Sequence, residues 1–366
     1  MATDLSRSAA PEDGSSPASW SARDTTPRAV AGALIRLASE RAGRRELAYA
    51  PARALNLVTV AERGARDELV TRIERLGGMQ PSRTIVCVVD DRRLELDAWA
   101  TMDYDLPARP GALAVCRERV EMALGPRHLA QLESILDPLL VGDVPTIVWA
   151  PRHPQAVASL ADEAHVALVD SGEEPDPAAA VRRSAGLAGE MHVVDLAWHR
   201  TTPWRERLAA AFHPPAERAS LGQIDAVTVR HEPGAAASGL LLSGWLCSRL
   251  GWRGGKRFAR DPEGALIGWA SGAAGAVELR LEPAAGQRAP GLAGVTVTGG
   301  GASLSLDRGP GGLAVRQRDG QGRERSWVAL GASRGEAGIL ADALRDALTC
   351  DTAYSPALRA AAAMLG

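Results

Sequence analysis

The stretch that most restricts what this chain can fold into is LDPLLVGDVPTIVWAP, residues 136–151. It reads as a helix end, a turn at Gly142 and Asp143, and a short apolar strand over 144–149. An unbroken apolar run bounded by turn residues marks a strand covered on both faces, as in a parallel sheet flanked by helices. Pro145 lacks a backbone donor, so hydrogen-bonded pairing starts at Thr146. Trp149 then stands at the carboxyl end of the strand, the edge where open α/β sheets place binding surfaces.

Neighbouring segments extend the pattern. Residues 54–61 and 83–89 are β-rich apolar runs. Between them residues 66–76 are amphipathic, with Leu69, Val70, Ile73 and Leu76 on one stripe and Gly77-Gly78 as a stop. Strand, helix and strand make one βαβ crossover. Alternation within 94–124 predicts antiparallel additions, a helix over 127–140 leads into the strand described above, and a helix at 154–164 precedes a strand at 166–169. Ahead of all this, Val30, Leu34, Leu37 and Ala38 recur at helical spacing behind Thr26-Pro27. The expectation is a layered N-terminal α/β domain with a mostly parallel sheet over 27–172. A disordered Ser/Ala/Pro/Asp-rich tail over 1–26 precedes it, and an acidic, proline-rich linker closes it.

Residues 173–366 predict an α+β C-terminal domain. A helix over 178–187 is followed by VVDLAWHRTTPWRERLAAAF, in which Thr202 reads as an N-cap ahead of Pro203. A strand at 224–231 and a helix at 238–250, stopped by Gly251, come next. From 267 to 330 short alternating runs separated by glycine-rich turns predict an antiparallel meander with one wet face. Two terminal helices, 335–348 and 356–365, are expected to cover its other face.

A chain of 366 residues, 46% hydrophobic and 23% charged, is long enough for two cores. Its net charge of -2 gives no footing for a nucleic-acid binder or a polybasic membrane protein. The first twenty residues lack the apolar core of a signal peptide, and no run reaches the ~18 apolar residues of a membrane span. Cys87, Cys116, Cys247 and Cys350 form no C-x-x-C pair, so neither a zinc framework nor a redox motif is expected. A cytoplasmic location follows as the expectation.

Catalytic signatures are missing. No phosphate-binding loop precedes Lys256, the only lysine, and Gly299-Gly300-Gly301 separates strands instead of opening a helix. GWASG, residues 268–272, places its serine one position away from a nucleophile elbow. His199 sits between two tryptophans with no serine or cysteine arranged for it to activate. No catalytic residue, cofactor or metal is expected. Five residues stand out as a candidate partner interface: Trp149, Trp198, His199, Trp204 and Arg205. Trp and Arg are over-represented among interface anchors, and the same residue types also anchor helix starts into a core.

Taken in order, several segments resemble one family. They are DTTPRAVAGAL, RALNLVTVA, PSRTIVCVVDD, LDPLLVGDVPTIVWAP, ALVDSG, DLAWHRTTPWRERLAAAF and SGLLLSGWLCSRLGW. The family is the glucose-6-phosphate dehydrogenase assembly proteins, OpcA, of actinobacteria and cyanobacteria. Ala150 and His199 depart from its usual pattern, and the meander matches least well. The resemblance implies a non-catalytic subunit that binds glucose-6-phosphate dehydrogenase and favours its active oligomer, supporting the oxidative pentose phosphate pathway and NADPH supply. The competing reading is an α/β enzyme acting on a phosphorylated sugar or nucleotide.

Overall fold

Pro145 contributes an acceptor but no donor. Its carbonyl accepts the Asn56 amide at 2.9 Å, and the strand begins one residue later, at Thr146. The turn ahead of it closes through Asp143 at φ 64°, a left-handed conformation that short polar side chains tolerate. Asn56 locks that turn: its side chain donates to Val141 O (3.0 Å) and Thr146 Oγ1 (3.2 Å) and accepts from the Val141 amide (3.1 Å).

The computed structural model describes residues 18–43, 54–76, 82–105, 115–151, 153–286, 290–330 and 335–366. The Gly77-Gly78 stop and residues 1–17 of the expected tail lie outside these. The chain divides into two units. One comprises Met1–Val70, Gly77–Val148 and Gln155–Glu163; the other comprises Thr71–Leu76, Trp149–Pro154 and Ala164–Gly366.

In the first unit the elements run β1 (Ala18–Ala22), α1 (Pro27–Gly43), β2 (Leu55–Glu62), α2 (Arg66–Glu74), β3 (Ser82–Val89), β4 (Asp97–Asp105) and β5 (Val115–Leu124). Then come α3 (Pro126–Leu129), α4 (Leu132–Leu136), β6 (Thr146–Trp149) and α5 (Pro154–Ser159), the ends of α2 and β6 and the start of α5 belonging to the second unit. Strand order is β1-β4-β5-β3-β2-β6. The ladders β2–β3 and β3–β5 are parallel, whereas β4–β5 and β1–β4 are antiparallel, so the sheet is mixed. Residues 18–22, expected in the disordered tail, instead form edge strand β1. Edge pairing to β4 uses main-chain groups and asks for no apolar run, which is why composition alone hid it. Seven successive residues of β2, Leu55 to Ala61, are buried, as a doubly covered strand requires.

In the second unit the order is β7 (Val166–Val169), α6 (Pro177–Leu187), β8 (His192–Asp195), α7 (Leu196–Arg200), α8 (Thr202–Ala211), α9 (Pro215–Ser220), β9 (Ile224–His231) and α10 (Ala236–Leu250). Strands β10 (Arg253–Gly254), β11 (Ala259–Arg260), β12 (Leu266–Gly272), β13 (Gly275–Pro283), β14 (Leu292–Gly299), β15 (Ala302–Gly309), β16 (Gly312–Arg318) and β17 (Glu324–Leu330) follow, then α11 (Gly335–Thr349) and α12 (Tyr354–Ala363). Strands β7 and β8 pair in parallel. The large sheet has the order β10-β12-β13-β9-β14-β15-β16-β17, with β11 on β12.

The expected meander is therefore interrupted. Strand β9, with Val227 and Val229 fully buried, inserts between β13 (parallel) and β14 (antiparallel). The cover also differs from expectation. Helix α10 lies on β9 and β13, α12 packs on α10 and α6, and α11 packs on β8 and α7. Gly239 and Gly244 explain α10's central place: a Cβ would come within 2.7 Å of the Leu281 side chain at the first and 2.2 Å of the Ala357 carbonyl at the second. The C-terminal turn of α10 closes on Gly251 at φ 67°, as expected for a left-handed cap. Among the described residues no helix is long and apolar enough to cross a membrane.

Candidate functional site

Within the second unit, the carboxyl ends of short strands present Trp149, Asp170 and Asp195, and two arginines meet them. Arg200, the last residue of α7, holds Asp170 in a two-pronged pair (Nη1–Oδ1 2.6 Å, Nη2–Oδ2 2.7 Å). The same guanidinium reaches Glu336 at the start of α11 (Nη2–Oε2 2.7 Å, Nε–Oε1 3.1 Å). Arg72, on the last turn of α2, donates to Glu173 Oε1 at 2.8 Å and lies 4.9 Å over the Trp149 ring. Its Nη2 stands 3.7 Å from Glu336 and 4.0 Å from Asp170. Gly172 belongs here because a Cβ would sit 3.3 Å from Arg200 Nη1 and 3.2 Å from Asp170 Oδ1.

Two guanidiniums thus face three carboxylates, and the charge states follow from that arrangement. Burial pulls Arg200 down, but its bonds to Asp170 and Glu336 outweigh this and hold it above its ordinary value. Burial likewise pushes Glu336 up, and Arg200 more than reverses it. Glu173 stays raised through burial and the charge of Asp170. The buried Nε of Arg72 and Nε1 of Trp149 have no acceptor among the described residues.

Beneath this clasp lies Asp195, fully buried. It caps α7 by accepting the Ala197 amide at 2.9 Å and takes the Ser171 hydroxyl (2.6 Å) and amide (3.1 Å) as well. Burial first, then the charge of Asp170, pushes its carboxyl up to about 6. The Tyr354 hydroxyl donates to it at 3.4 Å, and burial together with that carboxylate raises the phenol well above its usual range. Ser171 is engaged with Asp195 and Ser184, so it is not poised as a nucleophile.

The five sequence candidates do not form an exposed patch. Trp149, Trp198 and Trp204 are all buried, the position the core-anchor alternative gives them. Trp198 and Arg205 do come together: the guanidinium stacks 3.5 Å from the ring centroid, and Trp198 Nε1 donates to Asp351 Oδ2 at 2.7 Å. Tyr354 packs on the same indole with centroids 5.5 Å apart. Burial brings the Arg205 guanidinium down to about 10, with Asp351 opposing. His199 Nε2 lies 3.3 Å from Asp346 Oδ2. The N-cap of α8 is Thr201, one residue before the expected Thr202. Its hydroxyl makes no capping bond, because it donates to Trp198 O (2.6 Å) and accepts from Arg205 Nε (3.0 Å).

Sequence reasoning missed Arg72, Asp170, Arg200 and Glu336. Only Asp170 carried a local signal, as an acid directly after the apolar strand VALV. Arg72 lies 98 residues before Asp170 and Glu336 lies 136 residues after Arg200, and both arginines sit in helices whose faces look ordinary. Among the described residues no group of His, Cys, Asp or Glu is arranged to hold a metal ion.

Comparison with known proteins decides the lineage of this arrangement. Residues 74–186 match the family model for the glucose-6-phosphate dehydrogenase subunit N-terminal domain, and residues 191–358 match that for the C-terminal domain. The chain belongs to the OpcA family. Curated relatives, provisionally named OxPP cycle protein OpcA, occur in Synechococcus elongatus (33% identical over 147 residues) and Synechocystis (30% over 143). These alignments span 39% and 38% of this chain and only about a third of each relative, 33% and 30%. Among solved structures, the WlbA dehydrogenase of Thermus thermophilus aligns over 85% of this chain and 95% of its own at 13% identity, with a TM-score of 0.44, too low to bear on function. In this OpcA-family chain the clasp joins segments matched by both models: Asp170 and Glu173 come from the first, Arg200 and Glu336 from the second.

Proposed function

We propose that this chain is a non-catalytic subunit that binds glucose-6-phosphate dehydrogenase and favours its active oligomer, supporting the oxidative pentose phosphate pathway and NADPH supply from the cytoplasm. The observation that carries the reading is the match of more than half the chain, in order, to two family models described as parts of a dehydrogenase subunit.

The chemistry of the clasp supports it. Asp170 and Glu336 are saturated by Arg200, Glu173 is bonded to Arg72, and Ser171 is engaged by Asp195, so the polar cluster fixes helix positions instead of offering a base or nucleophile. An activator of this kind works by differential affinity: a tenfold shift toward the active oligomer needs only about 1.4 kcal/mol tighter binding to that state.

The test is to mix the full chain with the host's dehydrogenase and follow native mass. Co-migration as a defined complex supports the reading. Separate migration at micromolar concentrations of both proteins, or turnover of a pathway metabolite by the isolated chain, overturns it.

A further inference from the structure

Edge strands are a hazard that natural proteins manage with short length, proline, bulges or inward charges, because their unpaired backbone groups template pairing with another chain. One end of the large sheet follows that rule: β10 and β11 are two residues each. The other end does not. Strand β17, ERSWVAL, pairs with β16 over seven continuous residue pairs with no register shift and contains no proline. It is exposed along nearly its whole length, including Trp327 (42%), Val328 (53%) and Leu330 (79%). Its last five residues carry no charge. Among the described residues only its carboxyl tip is pinned by a side chain, with Arg207 Nη2 donating to Leu330 O at 2.8 Å.

We propose that β17 is the docking strand of this protein, and that its occupant is an extended segment of the partner dehydrogenase added to the sheet edge, apolar beside Trp327–Leu330 and acidic beside Arg316, Arg318 and Arg325. This rests on the dehydrogenase reading above. The charge pattern selects the occupant. Register places Arg318 beside Glu324, Arg316 beside Ser326 and Gln317 beside Arg325, so the turn end of the last two strands carries three exposed arginines against one glutamate, Arg316 and Arg318 of β16 on one face and Arg325 of β17 on the other. None of the three makes an ion pair among the described residues, whereas Arg323 in the turn is already paired with Asp319 at 2.7 Å. At the other end Trp327, Val328 and Leu330 lie beside Val315, Ala314 and Gly312, which adds no charge.

A second copy of this chain fits that pattern poorly. Antiparallel self-pairing about Trp327 sets Arg325 against Ala329 and Glu324 against Leu330, charged end on apolar end. Parallel self-pairing lays the arginine ends side by side. A hetero-partner strand with the complementary gradient meets neither penalty. Main-chain bonds then supply affinity and the side-chain gradient supplies register.

The experiment compares the full chain with two variants, Val328→Lys and the triple Arg316→Glu, Arg318→Glu, Arg325→Glu, for affinity to the host's dehydrogenase, native mass alone, and thermal midpoint. These side chains are exposed and make no ion pairs within the described residues, so the midpoints are expected to stay with the parent. Each variant is expected to bind at least about tenfold more weakly. Unchanged affinity in a folded variant overturns the docking strand while leaving the dehydrogenase reading intact. No binding by the parent chain overturns both. A parent dimer that Val328→Lys dissolves would assign the edge to a second copy and overturn the hetero-partner. If Val328→Lys does not fold, the triple variant decides alone.

Discussion

Arg200 grips Asp170 with both terminal nitrogens at 2.6 and 2.7 Å while the two side chains are only 9% and 1% exposed. A buried pair of this kind adds little net stability over an apolar replacement, yet breaking it strands a charge away from water. Arg200→Ala is therefore expected to cost about 3–5 kcal/mol in denaturant unfolding. The double variant Arg200→Met, Asp170→Asn should recover a large part of that loss. Equal destabilisation by single and double variants would contradict the pairing.

Asp195 sets a pH dependence whose sign is fixed by its raised carboxyl. Its folded value is about 6 against 3.8 for the free side chain. Between those limits the folded state holds a proton that the unfolded state has released. Stability from this group is thus fully present below pH ~4 and lost as pH rises through ~6. Unfolding curves at steps from pH 4 to 7 should show the parent falling relative to Asp195→Asn, by on the order of 1–3 kcal/mol across the window. A parent that gains on the variant over that range would contradict the assignment.

Gly244 fixes the spacing of α10 and α12. An added Cβ meets backbone, at 2.2 Å from Ala357 O and 2.8 Å from Ala361 N, which cannot rotate away. Gly244→Ala should destabilise by about 1–3 kcal/mol or more despite its small size and higher helix propensity. Far-UV circular dichroism would keep its helical signal while the thermal midpoint drops.

Trp198 and Trp204 separate packing from partner contact. Trp198 lies beneath the Arg205 guanidinium, against Tyr354 and bonded to Asp351, and Trp204 is buried in the next helix. Replacing either with alanine should cost about 3–5 kcal/mol of folding stability. A variant at either position that keeps the parent's midpoint while losing affinity for the dehydrogenase would assign that residue to partner contact, the other reading its residue type allows.

Elements governed by local chemistry were legible in the sequence. Pro145 placed the start of β6 at Thr146, Gly251 ended α10, and the apolar runs over 54–61 and 83–89 became the parallel pair β2–β3. What depended on distant partners was not. The insertion of β9 between β13 and β14 requires that its valines find two strands far downstream, and no pattern within 224–231 specifies them. The clasp hid for the same reason: Arg200 and Glu336 are 136 residues apart, and each looks alone like a solvated helix residue. The tryptophans were visible as large side chains, but whether an indole at an element end faces water or core is set by what packs over it.

The central claim is that this protein acts through another enzyme's oligomeric state. The most direct measurement titrates the full chain into the host's glucose-6-phosphate dehydrogenase while specific activity and native mass are followed together. Activity should rise in step with the population of a larger assembly and saturate at a fixed ratio of the two proteins. An activity and mass distribution that stay flat across the titration would contradict the account.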